Sequence, residues 1–201
     1  MDDSDRISAL HRFWFGPLDS NGMPGSDRNS FWYGGGAETD AACREEFGAE
    51  LEAALAGRRD HWPDTDDGLV ALALLLDQFT RNIYRGTPRA FSGDDRALAL
   101  ARAAVAEGRD RHLPTIHRVF LYTPFEHAEN LPAQEEGVAL FERLLEECPA
   151  KARDAVANFH RYMLAHRDVI ARFGRFPHRN AILGRESSQD ELAHLEKHGG
   201  F

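Results

Sequence analysis

From Leu69 to Leu76 the chain is apolar at every position, within a stretch that keeps helical spacing on both sides. A helix that is apolar all round has no solvent face, so other parts of the structure must enclose it. The run is far shorter than the roughly 20 residues that a bilayer-spanning helix needs, and the enclosing material is therefore expected to be protein. Beyond it, the segment from Asp77 to Arg85 turns polar on one side. At about 100° per residue, Leu72, Leu76, Phe79 and Ile83 share one arc, and Asp77, Gln78, Arg81 and Asn82 share the opposite one. Leu74 also lies in that polar arc, so these four groups are expected to face a cavity or other protein rather than open water. The plain structural alternative is an internal Asp77–Arg81 pair at i, i+4 with two amides satisfying loop carbonyls.

Apolar spacing of three and four residues recurs along the rest of the chain, and no stretch shows period-two alternation bounded by turn dipeptides. The fold class expected is all-α, a single helical domain over residues 1–201. Ile7, Leu10, Phe13 and Trp14 form one helical face that Gly16-Pro17 ends, and a loop rich in Gly, Pro, Ser, Asp and Asn leads from there to Ser30. Thr39, Thr65 and Ser92 fit N-cap positions, and Pro114, Pro132 and Pro149 fit first-turn positions. Gly57 and Gly174 suit C′ positions, and Ser188 with Glu191 makes a capping box for a last helix. Helix starts near residues 39, 66, 92, 114, 132 and 149 leave connections short enough for an irregular stack of antiparallel helical hairpins. Their spacing shrinks instead of repeating, so no tetratricopeptide period of about 34 residues is read from it.

The formal net charge of −9 argues against general nucleic-acid binding, which draws its affinity from a basic surface. The acidic opening Met1-Asp2-Asp3-Ser4-Asp5 is unlike a secretory signal, and a cytoplasmic location with no membrane partner is the expectation. Cys43 and Cys148 stand far apart with no C-x-x-C spacing, which suggests neither a disulfide framework nor a zinc site. No H-E-x-x-H, G-x-S-x-G, P-loop or G-x-G-x-x-G is present, so no cofactor and no metal are expected.

Two cationic islands interrupt the acidic chain. Arg81, Arg85 and Arg89 lie between Gln78 and Gly93 without an acid, and Arg172, Arg175, Arg179 and Arg185 lie with His178 and Asn180 in a second acid-free stretch. Converging arginine forks would make an anion pocket, and the expectation is that Arg81, Arg175 and Arg179 approach one another. The alternative is that each neutralises an internal carboxylate. A third segment, Tyr122 to Asn130, places Tyr122, His127 and the carboxylates of Glu126 and Glu129 at an expected break between helices, and a histidine with a carboxylate can do acid–base work. Ala152, Val156, Phe159, Met163, His166, Ile170 and Phe173 form one helical row, so His166 is expected to be buried with a partner. That partner is either a structural carbonyl or carboxylate, or a member of the polar set on the third helix such as Asp77 or Asn82.

The chain resembles the bacterial family called domain of unknown function 924. The likeness rests on Phe13-Trp14-Phe15-Gly16, on Leu75-Leu76-Asp77-Gln78-Phe79 with Arg81-Asn82 and Arg85-Gly86-Thr87, on Tyr122, Pro124 and His127, and on Arg172 to Asn180. The resemblance implies a tetratricopeptide-like helical superhelix and names no activity. Where many members have His-Ser-Glu-Asp this chain has His127-Ala128-Glu129-Asn130, so only Glu129 keeps its place. Two functions compete. In one, Asp77, Gln78, Arg81, Asn82, Arg85, Tyr122, His127, His166, Arg175, His178, Arg179 and Asn180 line a pocket for a small anionic molecule, with His127, Glu129 and His178 as acid–base candidates. In the other, the hairpin stack is an adaptor that binds an acidic or C-terminal peptide in a concave groove.

Overall fold

The computed structural model describes residues 2–200, so Met1 of the acidic opening and Phe201 lie outside the described residues. The described chain is helical with no β-strand, and its one isolated bridge pairs Leu18 with Pro24. Helix α1 spans Asp3–Phe15; Asp2 caps it by accepting from the Asp5 amide at 2.8 Å, and Gly16 ends it. The Gly- and Pro-rich loop after it is pinned to a distant helix, because the Ile116 amide and the Thr115 hydroxyl donate to the Gly22 and Asn21 carbonyls at 2.9 and 2.8 Å. A short π-helical turn, Ser30–Gly34, then leads into α2 at Gly36–Leu55. This helix starts before Thr39, which therefore lies inside it and caps nothing.

Helix α3, Asp66–Leu74, opens on Thr65, whose hydroxyl accepts from the Gly68 amide at 3.1 Å. It continues through a π-helical turn, Leu75–Phe79, into α4 at Thr80–Ile83. No residue from Leu69 to Leu76 is more than 3% exposed, because α1, α2, α5 and α6 pack around this segment. Burial of each leucine there contributes roughly 1.5–3 kcal/mol, which makes the segment the axis of the core.

Helix α5 spans Asp94–Ala106 and begins on Gly93, with Ser92 donating to the Arg89 carbonyl at 2.8 Å instead of capping. Gly93 is needed for close approach: a Cβ there would stand 2.1 Å from the Leu76 carbonyl oxygen. That contact seats the start of α5 on the π turn and brings Asp94 to the functional residues. Gly93→Ala is expected to lower stability by about 1–3 kcal/mol in urea unfolding; a variant as stable as the parent would show that the approach is not constrained.

Helix α6, Thr115–His127, runs straight through Pro124, and the break expected between Tyr122 and Asn130 falls after His127, before the next helix starts at Leu131. Proline removes the amide that would bond the Phe120 carbonyl, and the Thr123 hydroxyl donates to that carbonyl at 2.8 Å in its place. Helices α7 (Leu131–Glu147) and α8 (Arg153–Phe173) each pack on the preceding helix. Gly174 stops α8 with a left-handed backbone, φ +70°, and α9 (Gln189–His198) opens on the Ser188–Glu191 capping box. Between them, the loop after Gly174 folds back over the end of α6 through a short 3-10 turn, Pro177–Arg179. Both cysteines are buried and free.

Candidate functional site

The polar residues of the third helix are placed by its π turn, which carries Asp77 and Gln78 into the interior. Turns of this kind, with an extra residue per turn, are frequent where a helix presents functional groups. Asp77 is fully buried, and each of its carboxylate oxygens has two partners. Oδ1 meets His127 Nδ1 at 2.7 Å and Arg81 Nη1 at 3.2 Å, while Oδ2 accepts from Gln78 Nε2 at 2.6 Å and lies 3.1 Å from the Thr123 hydroxyl. Arg81 holds Asp94 in a two-pronged contact at 2.8 and 3.1 Å. Arg179 donates to Asp94 at 3.3 Å and to the His127 carbonyl at 3.0 Å, with its guanidinium 4.6 and 4.5 Å from the ring centres of Phe91 and Phe176. The contacts His127, Asp77, Arg81, Asp94, Arg179 and back to His127 thus form a closed circuit. It ties the π turn, the start of α5, the end of α6 and the 177–179 turn together.

Glu126 and His166 adjoin this circuit. His166 is buried, with Nδ1 at 2.8 Å from the Tyr162 carbonyl and 3.2 Å from Glu126 Oε1. It takes these partners from its own helix and from α6, and Asp77 is reached by His127 instead of by His166. The burial read from the apolar row therefore holds, and the structural form of the two readings describes His166.

Burial and charge set the protonation states. Burial alone would raise the Asp77 carboxyl, but the Arg81 charge and the hydrogen bonds from His127 and Gln78 outweigh it and hold the group well below the ordinary carboxylate range. Burial, reinforced by the neighbouring Asp77 charge, pushes Glu126 up to about 8. Burial and then Arg81 lower His127 despite the pull of Asp77, which favours a neutral imidazole near pH 7. Burial pushes His166 down to about 3 and His178 to about 4. Arg179 is depressed to about 10 by burial and by Arg81.

Of the residues singled out in the sequence, Asp77, Gln78, Arg81, His127, Arg179 and His166 come together here. His178 stands beside them, its ring 5.6 Å from that of Phe176. Others are engaged elsewhere. Asn82 and Arg85 turn to Asp40 of α2, at 3.1 Å and at 2.6 and 2.9 Å. Tyr122 donates to Asp110 at 2.5 Å, in a separate buried group that includes Arg118 and Arg143. Arg175 is clasped by Glu191 at 2.7 and 2.9 Å, so of the three arginines expected to converge, Arg81 and Arg179 meet and Arg175 is occupied by the last helix. Glu129 is held by Arg185 at 2.6 and 2.9 Å and accepts from the Phe176 amide at 2.8 Å, while Asn180 bonds Ser187 and Arg185, both at 3.0 Å.

Sequence reasoning did not single out Asp94, Thr123, Tyr33 or Tyr162, and it gave Glu126 no role of its own. Tyr33 and Tyr162 are exposed rings, and the Tyr33 hydroxyl lies within electrostatic reach of Glu126, Tyr162 and Asp77. Exposed tyrosines beside a buried carboxyl were the available signal, but only after folding. Glu126, His127 and His166 also each offer a donor atom, all within 4.8 Å of one another, a nitrogen-and-oxygen set of the kind zinc accepts. On the far side of His178, a cavity of about 450 Å³ lies between α8 and α9, with Asp168, Arg172, Phe173 and His194 on its walls.

A helical shell around a buried carboxylate–histidine–arginine circuit is the class these features define. The chain belongs to the family described as bacterial protein of unknown function (DUF924), whose pattern it matches over residues 10–199. It is similar to the solved structure of a protein of unknown function from Agrobacterium tumefaciens, at 33% identity and TM-score 0.81, covering 98% of this chain and 99% of that one. No curated protein matches it. No helix among the described residues is long and apolar enough to cross a membrane.

Proposed function

We propose that the chain binds a small anionic molecule at the Asp77–His127 circuit and carries out acid–base chemistry on it. The observation that carries this reading is the pair itself. A neutral imidazole that donates from Nδ1 to a buried, ionised Asp77 presents Nε2 as a base, in the orientation the carboxylate imposes. Glu126, kept protonated by burial, is the matching acid. The preference for an anion rests on the adjacent charges of Arg81 and Arg179, and on Arg179 Nε, a buried donor with no hydrogen-bond partner. His178 lines the 450 Å³ cavity and lies within electrostatic reach of Arg179, His127 and Arg81, so this side is the approach assigned to the ligand. Glu129 acts as a positioning residue that holds the 175–187 loop, since its oxygens are committed to Arg185 and the Phe176 amide.

In this reading the chain works as one helical domain in the cytoplasm, where the two free cysteines would stay reduced. The adaptor reading, a tetratricopeptide-like groove for an acidic peptide, draws on the stacking of α6, α7 and α8. Arg81 and Arg179 are paired with internal carboxylates, but the small-molecule reading is favoured because they meet at one point, where Arg179 Nε has no partner, instead of being spread along a groove.

Thermal unfolding at pH 7 against small carboxylates and phosphate monoesters tests the proposal. At least one compound is expected to raise the Tm of the parent and not that of Arg179→Gln. Turnover of that compound is expected to fall by roughly 10²–10⁴-fold in His127→Gln. Equal shifts in parent and Arg179→Gln, or binding of acidic peptides with no small-molecule hit, would overturn it in favour of the groove.

A further inference from the structure

The proposed acid–base site leaves unused a second cluster, near the opposite end of α6 from His127. His11 lies in α1, Asp67 in the first turn of α3 and His117 in the first half of α6. Each offers a donor atom, and these atoms all lie within 4.8 Å of one another. The two imidazoles stand edge to face with ring centres 4.7 Å apart, and Phe15 packs against both, at 5.7 Å from His11 and 4.6 Å from His117.

We propose that His11, Asp67 and His117 form a binding site for a divalent transition-metal ion of the zinc type. Two features beyond proximity point to an ion. His117 is only 5% exposed, and its Nδ1 is buried with no hydrogen-bond partner. A buried ring nitrogen left unsatisfied costs free energy that a bound ligand or water recovers. His11 is oriented by a backbone carbonyl: its Nε2 lies 2.8 Å from the Asp67 oxygen. A carbonyl can only accept, so the proton sits on Nε2 and the lone pair on Nδ1. Metal-binding histidines are held in this way, with one ring nitrogen donating to a carbonyl or carboxylate and the other left to coordinate.

The donor chemistry selects the ion. Two imidazoles and one carboxylate suit zinc and its first-row neighbours, whereas calcium and magnesium prefer oxygen alone. Donors around a zinc ion at about 2.0–2.2 Å stand roughly 3–3.5 Å apart. Rotation of the exposed Asp67 side chain supplies the remaining closure, and the same exposed edge is the route of entry. Three protein donors leave a coordination position for water, and the ion would clip α1, α3 and α6 together.

The test uses the full chain stripped of metal and titrated with zinc chloride alone, read by calorimetry and by thermal unfolding. One zinc ion per chain is expected, with a Tm rise of about 5–10 °C when free zinc is a hundredfold above Kd. His11→Gln and Asp67→Asn alter partly exposed and exposed residues and should fold; each is expected to weaken zinc binding by at least roughly tenfold. His127→Gln should bind zinc as the parent does, which separates this site from Glu126, His127 and His166 and from the acid–base reading. Absence of binding, parent-like affinity in both His11→Gln and Asp67→Asn, or loss of binding in His127→Gln would each overturn the assignment.

Discussion

Replacing Asp77 by alanine is expected to cost about 3–5 kcal/mol of folding stability at pH 7, because it leaves Arg81 and His127 partly buried beside an uncompensated gap. For a chain of this size that corresponds to a fall in Tm of roughly 6–20 °C. Asp77→Asn keeps the volume but offers an amide in place of the charge, so a smaller loss is expected. The pH dependence has a definite sign. Asp77 has its carboxyl lowered from an ordinary 3.8, so its contribution is present above that value and is lost as pH falls through the depressed folded value. Urea unfolding of parent and Asp77→Asn should therefore differ most at neutral pH and converge in acid. An Asp77→Ala variant within about 1 kcal/mol of the parent at pH 7 would mean that the circuit does not hold the fold together.

Glu126→Gln is expected to act in the opposite direction. The Glu126 carboxyl rises from an ordinary 4.5 to about 8 on folding, so its favourable contribution is complete below 4.5 and is lost as pH rises through 8. The cost of ionising it in place reaches at most about 4–5 kcal/mol. Glutamine mimics the protonated acid and cannot ionise, so the variant should equal the parent below about pH 4 and exceed it in stability near pH 8. Comparing the two proteins at each pH cancels the contributions of the buried histidines. A difference that stays flat from pH 5 to 8.5 would show that Glu126 ionises freely in the folded protein, and the acid assigned to the proposed chemistry would be lost with it. Asp77 and Glu126 thus sit side by side in one interior with their protonation equilibria driven apart. The difference is that Arg81 and His127 contact Asp77, whereas the Glu126 carboxyl faces the neutral ring of His166.

The helices and most of their ends were determined by residues close in sequence. The enclosed run from Leu69 to Leu76, the caps at Thr65 and Ser188 and the stop at Gly174 all follow from local geometry, in which a side chain meets a backbone group only a few residues away. Local rules failed where a distant part of the chain changed the balance. Pro124 strands the Phe120 carbonyl inside α6, yet Thr123 satisfies that carbonyl and α7 and α8 pack against α6. Ser92 reads as a cap, yet the missing side chain of Gly93 lets α5 press on Leu76 and start one residue later.

The site divides in the same way. Asp77, Arg81, His127 and Arg179 are visible in the sequence as chemistry without a place, because a polar arc on an apolar helix and arginines in an acidic chain both need internal partners. Which partner each one takes was decided only by the tertiary structure. At about 100° per residue Asp77 and Asn82 stand at the two edges of the polar arc, about 140° apart, and the helix packed on each edge decided the outcome: α2 brings Asp40 to Asn82, and α6 brings His127 to Asp77. The protonation of Glu126 was beyond the sequence for the same reason. A carboxyl beside a histidine reads alike in water and in a core, and only packing removes the water that would have kept it charged.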